Sequence, residues 1–135
     1  MATKTTLKTQ RTNKNIDKAE INPLTGGLVL RSTWRGKIAG QTTKEIKSGL
    51  AVQIPDGYYG VITNSDNLIR NYQFLVRPQL VTAGDRDEIT LFIVNYRPYP
   101  ELISLNQVVA ELVLHPIEDI DLKPVPKIGA VKTEE

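Results

Sequence analysis

The sequence contains no cysteine and only one histidine, His115, among its 135 residues. Without cysteine there is no disulfide framework, no thiolate metal site and no thiol nucleophile. A metal site would have to consist almost entirely of carboxylates, and a Ser-His-Asp arrangement would depend on His115 alone. We therefore predict that the chain has no metal site and no cofactor, and that His115 has a structural role.

Long apolar runs and a strong net charge are also missing. No run approaches the roughly 18 apolar residues that a membrane-spanning helix needs, and residues 1–18 lack the apolar centre of a secretory signal. The net charge of +2 is too small to predict nucleic-acid binding by itself. These absences favour a soluble single domain that is neither secreted nor bound to a membrane.

The basic side chains that are present concentrate at the start of the chain. We interpret residues 1–20 as an extended arm whose cations contact a partner, either an acidic protein surface or, with less support, nucleic acid. A solubilising tail without a partner is the alternative. The predicted partner-binding residues are Lys4, Lys8, Arg11, Lys14 and Lys18. At the other end, prolines among charges predict a second extended tail over residues 118–135.

Between the tails, residues 21–117 have the composition of a β domain. Turn residues at 55–57 and 97–100 separate short runs rich in Val, Ile, Thr and Tyr. No window shows a helical stripe, so we predict an all-β jelly roll or sandwich. The predicted strands span 28–34, 49–54, 58–63, 73–81, 88–96 and 108–117.

Two of these runs, 89–94 and 108–114, are apolar at nearly every position. Alternation between an apolar and a polar face is the usual pattern of a strand with one side in water. We therefore expect both strands to be buried on two sides, at the centre of a sandwich or at an interface between subunits.

Charged residues at Asp85, Asp87 and Glu88 come directly before one of these runs. They would suit a hard cation, but a calcium loop distributes its ligands over about a dozen residues. A solvated turn before a strand is the preferred interpretation. The segment Thr25-Gly26-Gly27-Leu28 lacks the lysine of a phosphate-binding loop, so it is also interpreted as a turn.

The order of motifs from Gly26 to Leu114 resembles that of the trimeric dUTPase family. SGLAVQIPDGYYGVI at 48–62 is similar to the family's T-G-L and L-P-x-G-Y-x-G strand pair, and QLVTAGDRDEI at 79–89 to G-V-I-D-x-x-Y-R-G-E-I. Asn64-Ser65 falls where the family has R-S, AELVL at 110–114 resembles A-Q-L-I-L, and GGLVL at 26–30 resembles A-G-x-D-L. The resemblance implies a homotrimer.

Several positions depart from that pattern where the chemistry lies. Thr82 replaces the aspartate that orients the attacking water in the family, and Asp85 replaces the tyrosine under the deoxyribose. Val29 replaces the aspartate of the first motif, Asn64 the arginine of the phosphate motif, and Glu111 the glutamine of the fourth. Hydrolysis of a triphosphate needs carboxylates to position water and metal, and cations to neutralise phosphates.

From these departures we predict no catalytic residues and only a vestigial nucleotide pocket, formed by Ser65, Thr82, Asp85 and Arg86. The expected function is that of a non-enzymatic structural or interaction protein, a trimeric component of a viral or phage particle tethered by its tails. The adenovirus early-region proteins that resemble dUTPases suggest this setting, in a virion or host cytoplasm. The alternatives are a dUTP diphosphatase-like hydrolase and a soluble regulatory binding protein.

Overall fold

The computed structural model describes residues 4–65 and 74–129, and within these ranges all regular structure is β. The strands are β1 (Lys8–Arg11), β2 (Leu28–Arg31), β3 (Gly36–Ile38), β4 (Thr42–Gln53), β5 (Tyr58–Asn64), β6 (Leu75–Val76), β7 (Gln79–Val81), β8 (Glu88–Asn95), β9 (Glu101–Ile103) and β10 (Val108–Pro116).

The strands form two four-stranded antiparallel sheets and one short pair. The first sheet has the order β1-β4-β8-β6, the second β2-β10-β5-β7, and β3 pairs with β9. Apolar side chains from the inner faces of both sheets form one core, including Leu30, Ile62 and Leu112 from the second sheet and Ile46 and Leu91 from the first. Burial of each such side chain contributes about 1.5–3 kcal/mol. The predicted all-β sandwich is confirmed.

The turn predicted at 55–57 carries the chain from one sheet to the other. Gly57 has a φ of 86°, and the Tyr58 amide donates to the Pro55 carbonyl at 3.2 Å. Glycine is favoured at the third position of a type II turn because φ is positive there. The prediction of a tight turn is confirmed, and it joins β4 of the first sheet to β5 of the second.

The strand predicted over 73–81 is divided in two. Residue 73 lies outside the described residues, β6 pairs with β8 in the first sheet, and β7 pairs with β5 in the second. Pro78 separates them, and proline has no N–H to continue a ladder. The chain therefore changes sheets at a point where a single strand was expected.

Strand β8 is fully buried on one face only. Its inner residues Ile89, Leu91 and Ile93 are buried, whereas Thr90, Phe92 and Val94 on the other face are half-buried. The expectation of burial on both faces is thus not met for β8 within one chain, whereas it is met over residues 109–112 of β10, which are all buried.

The basic arm is more integrated into the fold than its composition suggested. Residues 8–11 form β1, which pairs with residues 50–53 of β4, and Ile16 is only 1% exposed. The composition of residues 1–20 did not indicate this buried side chain. At the other end, residues 118–129 are exposed and contain no helix or strand. Within the described ranges no helix is long and apolar enough to cross a membrane.

Candidate functional site

The turn between β7 and β8, which we call the charged hairpin (residues 82–87), holds a carboxylate against Thr82. The Asp85 amide donates to the Thr82 carbonyl at 3.1 Å and closes the turn. Asp85 Oδ2 in turn accepts from the Thr82 amide at 2.8 Å and from Thr82 Oγ1 at 3.2 Å. Asp85 Oδ1 accepts no hydrogen bond among the described residues and is left to contact solvent or a ligand.

Arg86 of the charged hairpin is folded over the backbone of its own turn. Its Nη1 donates to the carbonyl of Ala83 and, at 3.0 Å, to that of Asp85. The same side chain lines a surface groove of about 220 Å³ together with Lys8 of β1. The groove therefore brings together Arg86, which was predicted for the nucleotide pocket, and Lys8, which was predicted for partner binding.

A second group of polar residues lies on the outer face of the second sheet, around Glu111 of β10. Glu111 is 5% exposed; its Oε2 accepts from Asn22 Nδ2 at 3.1 Å, and its Oε1 accepts from Thr25 Oγ1. The turn at residues 22–27 is closed by bonds from the Asn22 amide to the Gly27 carbonyl (2.9 Å) and from the Gly26 amide to the Asn22 carbonyl (2.8 Å). This turn holds Asn22 and Thr25 over the carboxylate.

The Glu111 carboxylate borders a cavity of about 370 Å³, which we call the β2–β10 cavity. Its lining residues are Asn22, Leu24, Thr25, Thr63, Asn64, Glu111 and Val113. Asn64 Oδ1 accepts from the Val76 amide at 2.6 Å, so this side chain fixes β6 in place. Ser65, the next residue, is only 2% exposed.

The charged hairpin and the β2–β10 cavity lie at opposite ends of β5. Val81, the last residue of β7, is opposite Gly60, whereas Asn64 is at the far end of the strand. Four residues of β-strand span about 13 Å. Within one chain, the predicted pocket residues are therefore divided between two places. Thr82, Asp85 and Arg86 lie in the charged hairpin, far from Asn64, Ser65 and Glu111 at the other end of β5.

The remaining candidates are distributed over the surface. His115 is exposed and stacks on Tyr59, with ring centroids 5.4 Å apart. Lys4, Lys14 and Lys18 are exposed, and Arg11 Nη1 donates to the Ile16 carbonyl at 3.2 Å. In the part of the chain that is described, no three acidic, histidine or cysteine side chains form a metal-binding group.

Solved structures with the same architecture include dUTPases of staphylococcal phages. The dUTPase of Staphylococcus bacteriophage 80alpha gives a TM-score of 0.78 at 21% identity, covering 94% of this chain and all of that one. The dUTPase from phage phi11 of S. aureus gives a TM-score of 0.78 at 20% identity, covering 92% of this chain and 98% of that one. The chain thus has the dUTPase-like all-β fold.

Curated relatives carry the same name. A deoxyuridine 5'-triphosphate nucleotidohydrolase from Anaplasma marginale is 30% identical over 92 residues, and one from Tropheryma whipplei is 32% identical over 94 residues. A probable one from Invertebrate iridescent virus 6 is 29% identical over 90 residues. Each match covers 67% of this chain but only 63%, 64% and 30% of the respective relatives. No family model matches. The chain is therefore a sequence relative of dUTPases and has their fold.

The prediction of a non-enzymatic structural protein of a viral or phage particle is wrong, because these relatives are named as nucleotide hydrolases. The prediction was based on the residue type at single motif positions. In the structure a carboxylate does lie against Thr82, because Asp85, three residues later, accepts hydrogen bonds from it. Position 29 likewise faces Glu111 across the β2–β10 pair.

Sequence reasoning noted Glu111 only as a departure, and Gly27 as part of a turn and as a match to the glycine of A-G-x-D-L. A Cβ built on Gly27 would lie 2.5 Å from Glu111 Oε1, so Gly27 leaves the space that the carboxylate occupies. The sequence did contain a signal for this site. Relative to the dUTPase pattern, a carboxylate is lost at position 29 and another is gained at position 111. Linking them requires the register of β2 on β10, which the sequence alone does not provide.

Proposed function

We propose that this chain is a hydrolase of deoxynucleoside triphosphates, with dUTP as the first substrate to test, and that it acts as a homotrimer. The single observation that carries the proposal is the Asp85 carboxylate, which the charged hairpin holds against Thr82. The names of the sequence relatives supply the reaction class and the substrate.

The separation of the two half-sites supports an assembly of copies. In the proposed reaction the charged hairpin and the β2–β10 cavity act on the same phosphate chain, whereas β5 holds them about 13 Å apart within one chain. This separation favours a site that takes the two from different chains. Apolar residues are also left uncovered on the outer surface, including Leu24 (92% exposed) and Leu80 (68% exposed). A neighbouring copy would cover such residues.

In the proposed reaction, a water oxygen attacks the α-phosphorus of dUTP. The bond from that phosphorus to the bridging oxygen breaks, and the products are dUMP and pyrophosphate. Asp85 Oδ1 accepts the proton of the attacking water, while Oδ2 remains bonded to Thr82 and fixes the orientation of the carboxylate. Asp85 is exposed, as a group that meets a substrate must be.

The negative charge of the triphosphate requires cations near the hairpin. Arg86 lies in the hairpin itself, and Lys8 lines the same groove. At an effective dielectric constant near 20, a unit charge about 4 Å from a phosphate contributes about 4 kcal/mol of attraction. Lys8 and Arg86 are therefore proposed to offset the repulsion between Asp85 and the phosphates.

A divalent cation fits the donors around Glu111. Magnesium in phosphoryl-transfer sites is usually held by one or two carboxylates together with substrate phosphates, not by a cage made of protein alone. Glu111 provides one buried carboxylate on the β2–β10 cavity. When bound, the ion would polarise phosphoryl oxygens and neutralise charge.

The other exposed basic residues of the arm remain a proposed contact for an acidic protein surface: Lys4, Arg11, Lys14 and Lys18. The arm is anchored by β1 and Ile16, so these residues have defined positions on the domain. Nucleic acid is the weaker proposal for a partner because the net charge is only +2.

The test is release of pyrophosphate from dUTP in the presence of Mg²⁺. We expect turnover by the wild-type chain and a loss of about a hundredfold or more in kcat for Asp85→Asn, since asparagine keeps the bonds to Thr82 but is no base. Asp87→Asn, an exposed neighbour of equal charge, is the matched control and should retain activity.

Transfer of the carboxylate provides the converse experiment. Thr82→Asp combined with Asp85→Asn moves the acid to the position it has in the resembling family, and activity should return. Absence of pyrophosphate release by the wild-type chain at high protein concentration, with dUTP and with the other deoxynucleoside triphosphates, would contradict the proposal.

A further inference from the structure

On the outer face of the second sheet, two residues on neighbouring strands depart from the dUTPase pattern in opposite ways: a carboxylate is lost on β2 and one is gained on β10. Val29 of β2 and Glu111 of β10 are register partners, and side chains directly opposite each other in an antiparallel pair have Cβ atoms about 4.5–5.5 Å apart. In the dUTPase pattern, the first position is an aspartate and the second a glutamine. In this chain the carboxylate has moved from β2 to β10.

The carboxylate of Glu111 reaches back over β2. A Cβ on Gly27 would lie 2.5 Å from Glu111 Oε1 and 3.2 Å from Glu111 Cβ, so the side chain passes directly over residue 27. Gly27 directly precedes β2, and positions 27 and 29 both lie against Glu111, the first by the close approach of its Cβ position and the second by register. The carboxylate therefore lies on the face where an aspartate at position 29 would project.

The surroundings of this carboxylate favour a cation. Glu111 is 5% exposed, and its hydrogen-bond donors, Asn22 and Thr25, are neutral. Among the described residues, no basic side chain forms an ion pair with it. A buried carboxylate without a counter-charge is costly, and a divalent cation entering the β2–β10 cavity would offset that cost.

We infer that Glu111 is the metal-facing carboxylate of the nucleotide site, in place of an aspartate at position 29, and that Gly27 gives it the room to do so. The inference rests on the proposed function and extends it by naming the residue that contacts the divalent ion accompanying the triphosphate. The ion binds between Glu111 and phosphate oxygens, so its affinity depends on the nucleotide.

The experiment measures binding of Mn²⁺, by electron paramagnetic resonance, to the full chain with an α,β-imido analogue of dUTP. We expect Glu111→Gln to weaken Mn²⁺ binding by roughly tenfold to a hundredfold, while the affinity for the analogue without metal does not fall. Val29→Asp combined with Glu111→Gln should restore most of the Mn²⁺ affinity. Thermal unfolding of each variant verifies that it is folded.

Gly27→Ala provides a second variant if the double variant does not fold. It keeps Glu111 but forces its carboxylate to move, and it should also weaken Mn²⁺ binding. Wild-type affinity in Glu111→Gln or in folded Gly27→Ala would overturn the inference while leaving the proposed function in place. A folded double variant no better than Glu111→Gln would overturn it as well. Failure of the wild-type chain to bind the analogue at all would overturn both.

Discussion

Asn95 shows how one buried polar residue organises a part of the fold away from the candidate site. Its side chain is fully buried, and Nδ2 donates to the carbonyls of Ile38 and Tyr99, both at 2.9 Å. Oδ1 accepts from the Arg97 amide at 3.0 Å. One side chain thus ties the loop at 97–100 to the end of β3.

Asn95→Ala should lower the free energy of unfolding by about 2 kcal/mol or more, because it leaves buried carbonyls without donors. Urea denaturation measures the change. Asn15→Ala, at an exposed position, is the control and should change stability by less than about 0.5 kcal/mol. Equal stability of the two variants would contradict the role assigned to Asn95.

The chemistry of the candidate site was only partly predictable at the scale of single residues. Comparison of motifs identified Thr82 and Asp85 as pocket residues, and both lie in one hairpin. That Asp85 bonds to Thr82 follows from turn geometry, since aspartate readily accepts from backbone and hydroxyl groups a few residues away. The pairing of Glu111 with Val29 depends on two strands that are distant in sequence, and no local pattern specifies it.

At the scale of elements, the arm is held to the sandwich by one apolar side chain as well as by β1. Ile16 is 1% exposed and is packed so closely that a Cβ on Gly49 would lie 2.9 Å from its Cγ1. The arm therefore contributes to the stability of the domain, and the position of Lys8 beside Arg86 depends on it.

Ile16→Ala should destabilise the chain by about 2–5 kcal/mol, from lost burial and the cavity that remains. Ile120→Ala is a matched control on the other tail, where the side chain is 72% exposed, and it should leave the unfolding midpoint unchanged. A negligible effect of Ile16→Ala would indicate that the arm is not part of the folded unit.

Apolar composition predicted β5, β8 and β10 over nearly their whole length, because each is rich in apolar and β-branched residues. Of β4 only residues 49–53 were predicted, because residues 42–48 are mostly polar, and β1 in the polar arm was not predicted. The short strands β3 and β9 were missed. Each has three residues, too few to show alternation, and they form only by pairing with each other. The division of 73–81 follows from Pro78, whose effect on the ladder could have been anticipated.

At the scale of the whole molecule, the topology determines where a complete site can form. Strand β5 holds the charged hairpin at one end and the β2–β10 cavity at the other. Resemblance to a trimeric family predicted an assembly, and the fold adds a structural argument for that proposal, since the two proposed half-sites lie about 13 Å apart in one chain. The proposed hydrolysis therefore requires that Asp85 of one copy lie close to Glu111 of another.

Mixed assemblies of two variants, each impaired in one half-site and assayed at a Mg²⁺ concentration that limits Glu111→Gln, test this requirement most directly. Asp85→Asn and Glu111→Gln, co-expressed in equal amounts with different tags and purified through both, form trimers in which some sites combine an intact hairpin with an intact cavity. Purification through both tags removes the homotrimers, and each remaining mixed trimer has one wild-type site out of about three. Pyrophosphate release should therefore return to about a third of the wild-type rate, well above that of either variant alone. No recovery in mixed assemblies, despite an active wild-type chain and an unchanged assembly mass, would contradict a site shared between copies.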